Sequence, residues 1–449
     1  MIKKYFQESI SDRTKRANLN IVISIFFKGA SIFLSFLLVP LTINYIKPDA
    51  YGVWLTLSSL VGWFAMFDIG IGNGLKNKLS ESLAVQDFEK AKVYVSTTYM
   101  IITIIAIVLI TLYLICFQWV NWQTVFNSKF IQEAELQKVV TIVSLFFLLK
   151  FITDIINVVA SSFQMVSISS ILLFLSNLGL TISVWILSKS TKADLVWLAF
   201  CLSFIPFLIS LFANFYLFHQ QFKIVKPSFE YVNFKKSKGI LSLGSQFFIL
   251  QIVSLIIFQT DNILISQFFR PTEVTNFNVA YKYYSVIIIL FTILLTPYWT
   301  AFTEAYHIKD YSWIKGSMKK LYVFWGLSLV ILFVMLCLAD LVIELWVGDK
   351  IVVPLNLSIA ICCYVAISNW NAIFASFING VGKIRLQIYL APIVGFANIL
   401  LSFFLVKVLN WGTYAMPAAN FLSLGLGAII GIVQYRKIIN NKAQGIWNK

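Results

Sequence analysis

Six charged side chains interrupt stretches of this chain that are otherwise apolar: Lys28, Asp68, Lys150, Asp154, Asp261 and Lys282. A charge at mid-membrane depth costs about 2.5–3.5 kcal/mol even on the mildest insertion scales, so it persists only where it meets a partner or water. Three cations and three anions in such positions imply a polar cavity inside a membrane protein. The chemistry open to them is attraction of an anion by the lysines and exchange of a proton by the aspartates.

Spacing separates the six. Lys150 and Asp154 are four residues apart and share one helical face. They form either a structural ion pair or a cavity-lining pair in which Asp154 exchanges a proton and Lys150 attracts an anion. Asp261 and Lys282 fall at similar depth on consecutive antiparallel spans, where a salt bridge either opens during transport or locks two helices together. Lys28 lies about nine residues into its span, beyond easy snorkelling reach, with no acid one turn away. A hydrated cavity is the expected setting for it. Asp68 opens the run Asp-Ile-Gly-Ile-Gly-Asn-Gly74, and either takes part in transport or caps the inner mouth.

The elements that carry these residues are hydrophobic helices. The chain is 59% hydrophobic and 12% charged, with a mean hydropathy of +0.84, far from an average soluble domain. Apolar stretches of about 20 residues recur from end to end, each long enough to cross a bilayer. About twelve are expected, giving an all-α integral membrane protein. The polar, basic start of the chain does not read as a cleavable signal sequence.

The net charge of +16 is a matter of topology. With the N-terminus in the cytoplasm, 24 of the 35 basic residues fall on the cytoplasmic side, together with eight acids. That bias places both termini inside. It calls for no nucleic-acid partner, since anionic membrane lipid suffices. The five cysteines lie in or at the ends of spans, without metal-ligand spacing to the two histidines, and read as buried thiols.

The basic loop between the sixth and seventh spans divides the chain evenly. The expected organisation is a cytoplasmic segment 1–18, an N-lobe 19–218, a basic inter-lobe loop 219–238, a C-lobe 239–436 and a tail 437–449. Six spans per half give both lobes the same orientation, a parallel duplication. Two internal echoes support it. Asn157-Val-Val-Ala-Ser-Ser-Phe163 ends span four, and Asn371-Ala-Ile-Phe-Ala-Ser-Phe377 ends span ten. Lys47-Pro48 follows span one, and Arg270-Pro271 follows span seven. Pro40, Pro206, Pro297, Pro392 and Pro417 interrupt spans, where proline kinks a helix and serves as a hinge or a fixed bend. The cluster Tyr281-Lys-Tyr-Tyr284, with Trp299 and Tyr306, is either a sugar-stacking surface or part of an interfacial belt.

Residues in spans one and two carry a family resemblance. Val39-Pro-Leu-Thr-Ile-Asn-Tyr-Ile-Lys-Pro-Asp-Ala-Tyr-Gly-Val-Trp54, followed by Phe67-Asp-Ile-Gly-Ile-Gly-Asn-Gly-Leu75, resembles the polysaccharide-transport branch of the multidrug/oligosaccharidyl-lipid/polysaccharide superfamily. Within it the chain looks like the Wzx-type O-antigen flippases, including Gln259-Thr-Asp-Asn262 in span seven. The resemblance implies two six-helix lobes around a central polar cavity, in a bacterial inner membrane. It implies no enzyme activity and no cofactor. The implied function is alternating-access transfer of an undecaprenyl-pyrophosphate-linked oligosaccharide to the periplasmic leaflet. Membrane lipids, a polysaccharide polymerase and a chain-length regulator are the implied partners. Lys28, Lys150 and Lys282 then become substrate-cavity residues. Asp154, Asp261 and Asp68 become candidates for gating or for coupling to a proton or sodium gradient. The drug-exporting branch commonly places an acid in span one, where this chain has Lys28, which argues against the alternative of an ion-coupled multidrug exporter. Equal numbers of acids and lysines, however, do not make a uniformly cationic lumen.

Overall fold

The computed structural model describes residues 10–63, 70–128, 130–163, 165–235 and 260–448, and the described residues are helical with no strand. The first helix, α1 (Ile10–Gly62), has 53 residues. At 1.5 Å per residue that is about 80 Å, more than two membrane crossings of about 30 Å. Lys47 (φ 71°, ψ 160°) breaks the helical path directly before Pro48 and separates spans one and two. The proline ring disfavours the helical region for the residue before it, which fits a break at Lys47, although Pro40 lies within the same helix without one.

Ten helical segments among the described residues are long and apolar enough to cross a membrane, the α1 segment among them. Counting the two halves of α1 apart gives eleven. Span seven supplies the twelfth, its residues 260–268 being helical and its earlier part lying outside the described residues. The chain is therefore an all-α, multi-pass membrane protein of about twelve spans. It divides into two compact units, Met1–Gln251 and Ile252–Lys449.

In the first unit α1 is followed by α2 (Ile71–Ala84), α3 (Phe88–Cys116), the short α4 (Trp122–Phe126), α5 (Glu133–Thr153), α6 (Ile155–Ser162), α7 (Val166–Ser190) and α8 (Leu195–His219). The second unit contains α9 (Pro271–His307), α10 (Tyr311–Cys337), α11 (Ala339–Val347), α12 (Leu355–Val381), α13 (Arg385–Lys407) and α14 (Ala415–Ile439). Several acids outside the spans serve as helix caps. Asp87 accepts from Lys90 N at 3.0 Å, Asp194 from Val196 N at 2.7 Å, and Asp310 from Trp313 N at 2.9 Å. Each satisfies a first-turn amide that the helix cannot pair by itself.

Burial inside each unit is selective. In the first, Ile71, Leu75, Leu79, Ile156, Phe163 and Phe222 share one core. In the second, Phe302, Phe374, Phe377 and Ile438 share another. Phe163 and Phe377, the last residues of the two echoed segments, are both core residues. Elsewhere large apolar side chains point outward, as Val323, Leu327, Val330 and Val334 do along one face of α10. In water such a stripe would be a liability; in a bilayer it is the lipid-facing side.

A polar seam joins α1 to α7. Ser24 Oγ meets Ser170 Oγ at 2.6 Å, Asn177 Nδ2 donates to Ser31 Oγ at 2.7 Å, and Tyr45 Oη meets Thr191 Oγ1 at 2.8 Å. Each pair is 146 residues apart, so the two helices run parallel and in constant register. The seven-residue step from Ser24 to Ser31 keeps the seam on one side of each helix. In lipid, where no hydrophobic force drives helices together, such bonds and close packing hold them in place.

Candidate functional site

Span four is not one continuous helix. Between α5 and α6 the Asn157 amide turns to the Asp154 carbonyl three residues back, at 3.0 Å. A regular α-helix would send that amide to the Thr153 carbonyl, which is thereby released. Asn214 on α8 takes it up, donating Nδ2 to the Thr153 oxygen at 2.7 Å. Tyr99 on α3 fixes the amide's other end by donating its hydroxyl to Asn214 Oδ1 at 2.6 Å. A side chain inserted into the backbone ladder is a standard cause of a helix break.

Asp154 sits at this break. Its Oδ2 is paired with Lys150 Nζ one turn earlier, and its Oδ1 accepts from Ser210 Oγ of α8 at 2.9 Å. Each carboxylate oxygen thus has one partner. The side chains are 35% (Lys150) and 36% (Asp154) exposed, and both face a pocket of about 330 Å³ inside the first unit. Asn157, Ser169, Ser176, Asn177 and Ser210 supply the rest of its polar lining. Leu172, Leu173, Leu180, Pro206 and Ile209 form the apolar wall. Pro206 has no amide hydrogen to offer the Leu202 carbonyl within α8.

Lys28 is exposed on α1, four residues after Ser24 and three before Ser31 on the α7 seam. Among the described residues it has no salt bridge. Asp68 lies outside the described residues.

In the second unit Asp261 is 4% exposed. Asn420 donates Nδ2 to its Oδ2 at 2.7 Å, while its Oδ1 has no hydrogen-bond partner. Asn420 Oδ1 in turn accepts from Asn398 Nδ2 at 2.7 Å, which ties α13 to α14. The expected Asp261–Lys282 salt bridge is not formed: the carboxylate is held by a neutral amide, and Lys282 lies half-buried on α9. The tyrosines beside Lys282 are packing residues rather than an open sugar-stacking surface. Tyr283 and Tyr284 are buried, and Tyr281 stacks between Phe277 at 6.1 Å and Tyr364 at 6.0 Å.

The residues that sequence reasoning passed over are neutral: Tyr99, Asn177, Ser210, Asn214, Asn398 and Asn420. An asparagine inside an apolar span was the available signal, because its amide seeks partners in lipid as a charge does, at lower cost.

The architecture is that of a transporter fold. A multidrug resistance MATE family transporter of the MOP superfamily, solved in an inward-facing conformation, superposes with a TM-score of 0.79 at 13% identity, covering 94% of this chain and 98% of that one. The family model described as "Polysaccharide biosynthesis protein" matches residues 19–302, and the chain belongs to that family. A protein of Yersinia pseudotuberculosis described as an O-antigen export protein is 24% identical over 364 residues, 79% of this chain and 81% of that one. A Salmonella typhimurium protein described as an O-antigen transporter is 22% identical over 288 residues, 58% of this chain and 59% of that one. The resemblance to Wzx-type polysaccharide export proteins is borne out by the family model and the O-antigen relatives, and the likeness to the MATE transporter bears on the fold.

Proposed function

We propose that the protein is a flippase for lipid-linked oligosaccharides, moving undecaprenyl-pyrophosphate-linked repeat units from the cytoplasmic to the periplasmic leaflet of a bacterial inner membrane. The product feeds synthesis of O-antigen or a related surface polysaccharide. Both termini lie in the cytoplasm, the movement is alternating access, and a proton or sodium gradient drives it. The protein changes the position of its substrate and not its covalent structure, so it is not an enzyme.

The observation that carries this reading is the Lys150–Asp154 pair facing a pocket among membrane-spanning helices of a chain in the polysaccharide biosynthesis family. A partly exposed lysine–aspartate pair inside a span is costly in lipid and is expected where water or a polar substrate passes. The relatives described as O-antigen export and transport proteins support the same substrate class. The likeness to multidrug transporters, at 13% identity, concerns the fold alone and does not favour drug export.

Deletion of the gene tests the proposal. The expected result is loss of surface polysaccharide, with its lipid-linked repeat unit accumulating in the cytoplasmic leaflet, both restored by the wild-type chain. Normal surface polymer in a clean deletion strain would refute it.

A further inference from the structure

We propose that the chain following α8, residues 223–235, is an interfacial segment seated in the headgroup region of the cytoplasmic leaflet, with Phe229 and Phe234 in lipid and Lys223, Lys226 and Lys235 on the phosphates of anionic phospholipids. The choice of leaflet rests on the orientation proposed above; the seating in lipid does not.

Depth is the first argument. Past α8 the chain folds back onto the first unit, and Phe222 and Val225 are buried in its core. Ser228 N then donates to Ser96 Oγ and Asn233 N to Thr97 Oγ1, both at 3.0 Å. Lys92 is the last charge on α3. The uncharged run 93–116 that follows it covers about 36 Å, slightly more than the hydrocarbon core of about 30 Å. Ser96 and Thr97 therefore stand at the edge of that core, and the segment they hold lies at the same level.

Cover and backbone agree with this depth. Val93 through Thr98 are all buried, whereas Ile107, Val108, Leu112 and Ile115 in the outer half of α3 are exposed. The segment supplies part of the inner cover, and Lys92 Nζ lies 3.9 Å from the centre of the Tyr231 ring. Its own amides are paired: Tyr231 N with the Ser228 carbonyl at 3.1 Å, and Val232 N with the Phe229 carbonyl at 3.2 Å. Together with the two amides held by α3, this suits irregular backbone to a setting poor in water.

The outward side of the segment selects the partner. Phe229 is 87% exposed and Phe234 51%. Lys223, Lys226 and Lys235 are exposed around them, and Glu230 is the one acid between Gln220 and Lys235. Lys226 meets His219 Nε2 at 3.1 Å and keeps two further N–H donors. Apolar rings flanked by lysines match a membrane surface whose headgroups are anionic, the rings entering the acyl boundary and the ammonium groups staying with the phosphates.

The test uses the full-length protein with its five native cysteines replaced and an environment-sensitive fluorophore on Phe229→Cys or, separately, Phe234→Cys. Glu89→Cys, exposed in the first turn of α3 and about 10 Å nearer the cytoplasm than Ser96, is the control. The proteins are reconstituted into vesicles of phosphatidylcholine alone or of equal parts phosphatidylcholine and phosphatidylglycerol, with brominated acyl chains as quencher. Quenching at Phe229→Cys and Phe234→Cys is expected to be at least about twice that at Glu89→Cys, and to increase with phosphatidylglycerol. Lys223→Gln, Lys226→Gln and Lys235→Gln together are expected to remove that increase. Either fluorophore site suffices if the other variant does not fold. Quenching no greater than at Glu89→Cys overturns the proposal, as the result for a segment in water or against a protein partner. So does quenching that responds neither to phosphatidylglycerol nor to loss of the three lysines. Both leaflets of these vesicles carry the same lipids, so the result holds for either orientation of the chain; labelling of Glu89→Cys from outside intact cells reads the orientation separately.

Discussion

Asn214 donates its side-chain amide to the Thr153 carbonyl across 2.7 Å, taking the place of the backbone amide that turns away where α5 gives way to α6. The break and its cap form one device. Without the break, Asp154 would continue a regular helix; without Asn214, a buried carbonyl would be left unpaired in lipid. Asn214→Ala should therefore lower stability by about 1–3 kcal/mol, the cost of an unsatisfied buried group. Tyr99→Phe, which removes only the hydroxyl that orients the amide, should cost about 0.5–1.5 kcal/mol. Melting of the purified variants in detergent measures both. Equal melting of Asn214→Ala and wild type would rule out the capping role.

The Lys150–Asp154 pair predicts a non-additive response. Lys150→Ala leaves Asp154 with Ser210 as its one partner. Breaking a fully buried pair costs about 3–5 kcal/mol. At 35% and 36% exposure solvent screens the charges, so about 1–2 kcal/mol is the expected loss. Removing both charges with Lys150→Ala and Asp154→Ala should recover part of it, giving a favourable coupling above about 0.5 kcal/mol. A double variant as unstable as the sum of the singles would show that the two charges act independently.

These two predictions mark what the sequence made legible and what it did not. The spans follow from hydropathy, and the Lys150–Asp154 pair follows from four-residue spacing, because both are local properties of one helix. The partner of Asp261 is not local. Charge complementarity nominates Lys282, whereas the structure uses Asn420, 159 residues away in sequence. A neutral amide enters an apolar helix at modest cost and stands out little in a hydropathy profile. Only the packing of helix 260–268 against α14 tells it from the other asparagines. The same holds for Ser210 and Asn214, whose roles exist only once α8 lies against span four. Asp68 and most of span seven fall outside the described residues.

For Asp261 the expected order of variants reverses the usual ranking of conservative changes. Asn420→Ala removes the one hydrogen bond to a carboxyl group that is 4% exposed. Loss of a hydrogen bond to a charged group costs about 1.5–3 kcal/mol. Asp261→Asn removes the charge itself and leaves an amide that pairs with Asn420, so it should be milder or stabilising. Comparing apparent melting temperatures decides it: Asp261→Asn falling further than Asn420→Ala would mean that the carboxylate makes stabilising contacts beyond Asn420.

The seam between α1 and α7 should behave as a set of weak, separable links. Interhelical hydrogen bonds in membrane proteins average about 0.6 kcal/mol and reach about 1.7. Asn177→Leu should fall in that range, because it removes the bonds to both Ser31 Oγ and the Ser31 carbonyl. Ser31→Ala on top of it should add little, since its partner is already gone. A full additive loss from the second substitution would place Ser31 in some other interaction.

Lys28 is the charge whose setting is most open to direct measurement. It is exposed on α1, flanked one turn away on either side by the seam residues Ser24 and Ser31. An exposed ammonium at this depth in a span faces either a hydrated path or lipid, and the cost of lipid favours water. A Lys28→Cys variant, with the five native cysteines replaced, should react with a charged thiol reagent that cannot cross the membrane. Reaction requires thiolate and therefore water at the site. In cells, Lys28→Ala should reduce surface polysaccharide at unchanged protein abundance, while Lys28→Arg, which keeps the charge, should retain more of it. An unreactive cysteine together with full complementation by Lys28→Ala would remove Lys28 from the translocation path and leave Lys150 and Asp154 as the polar centre of the first unit.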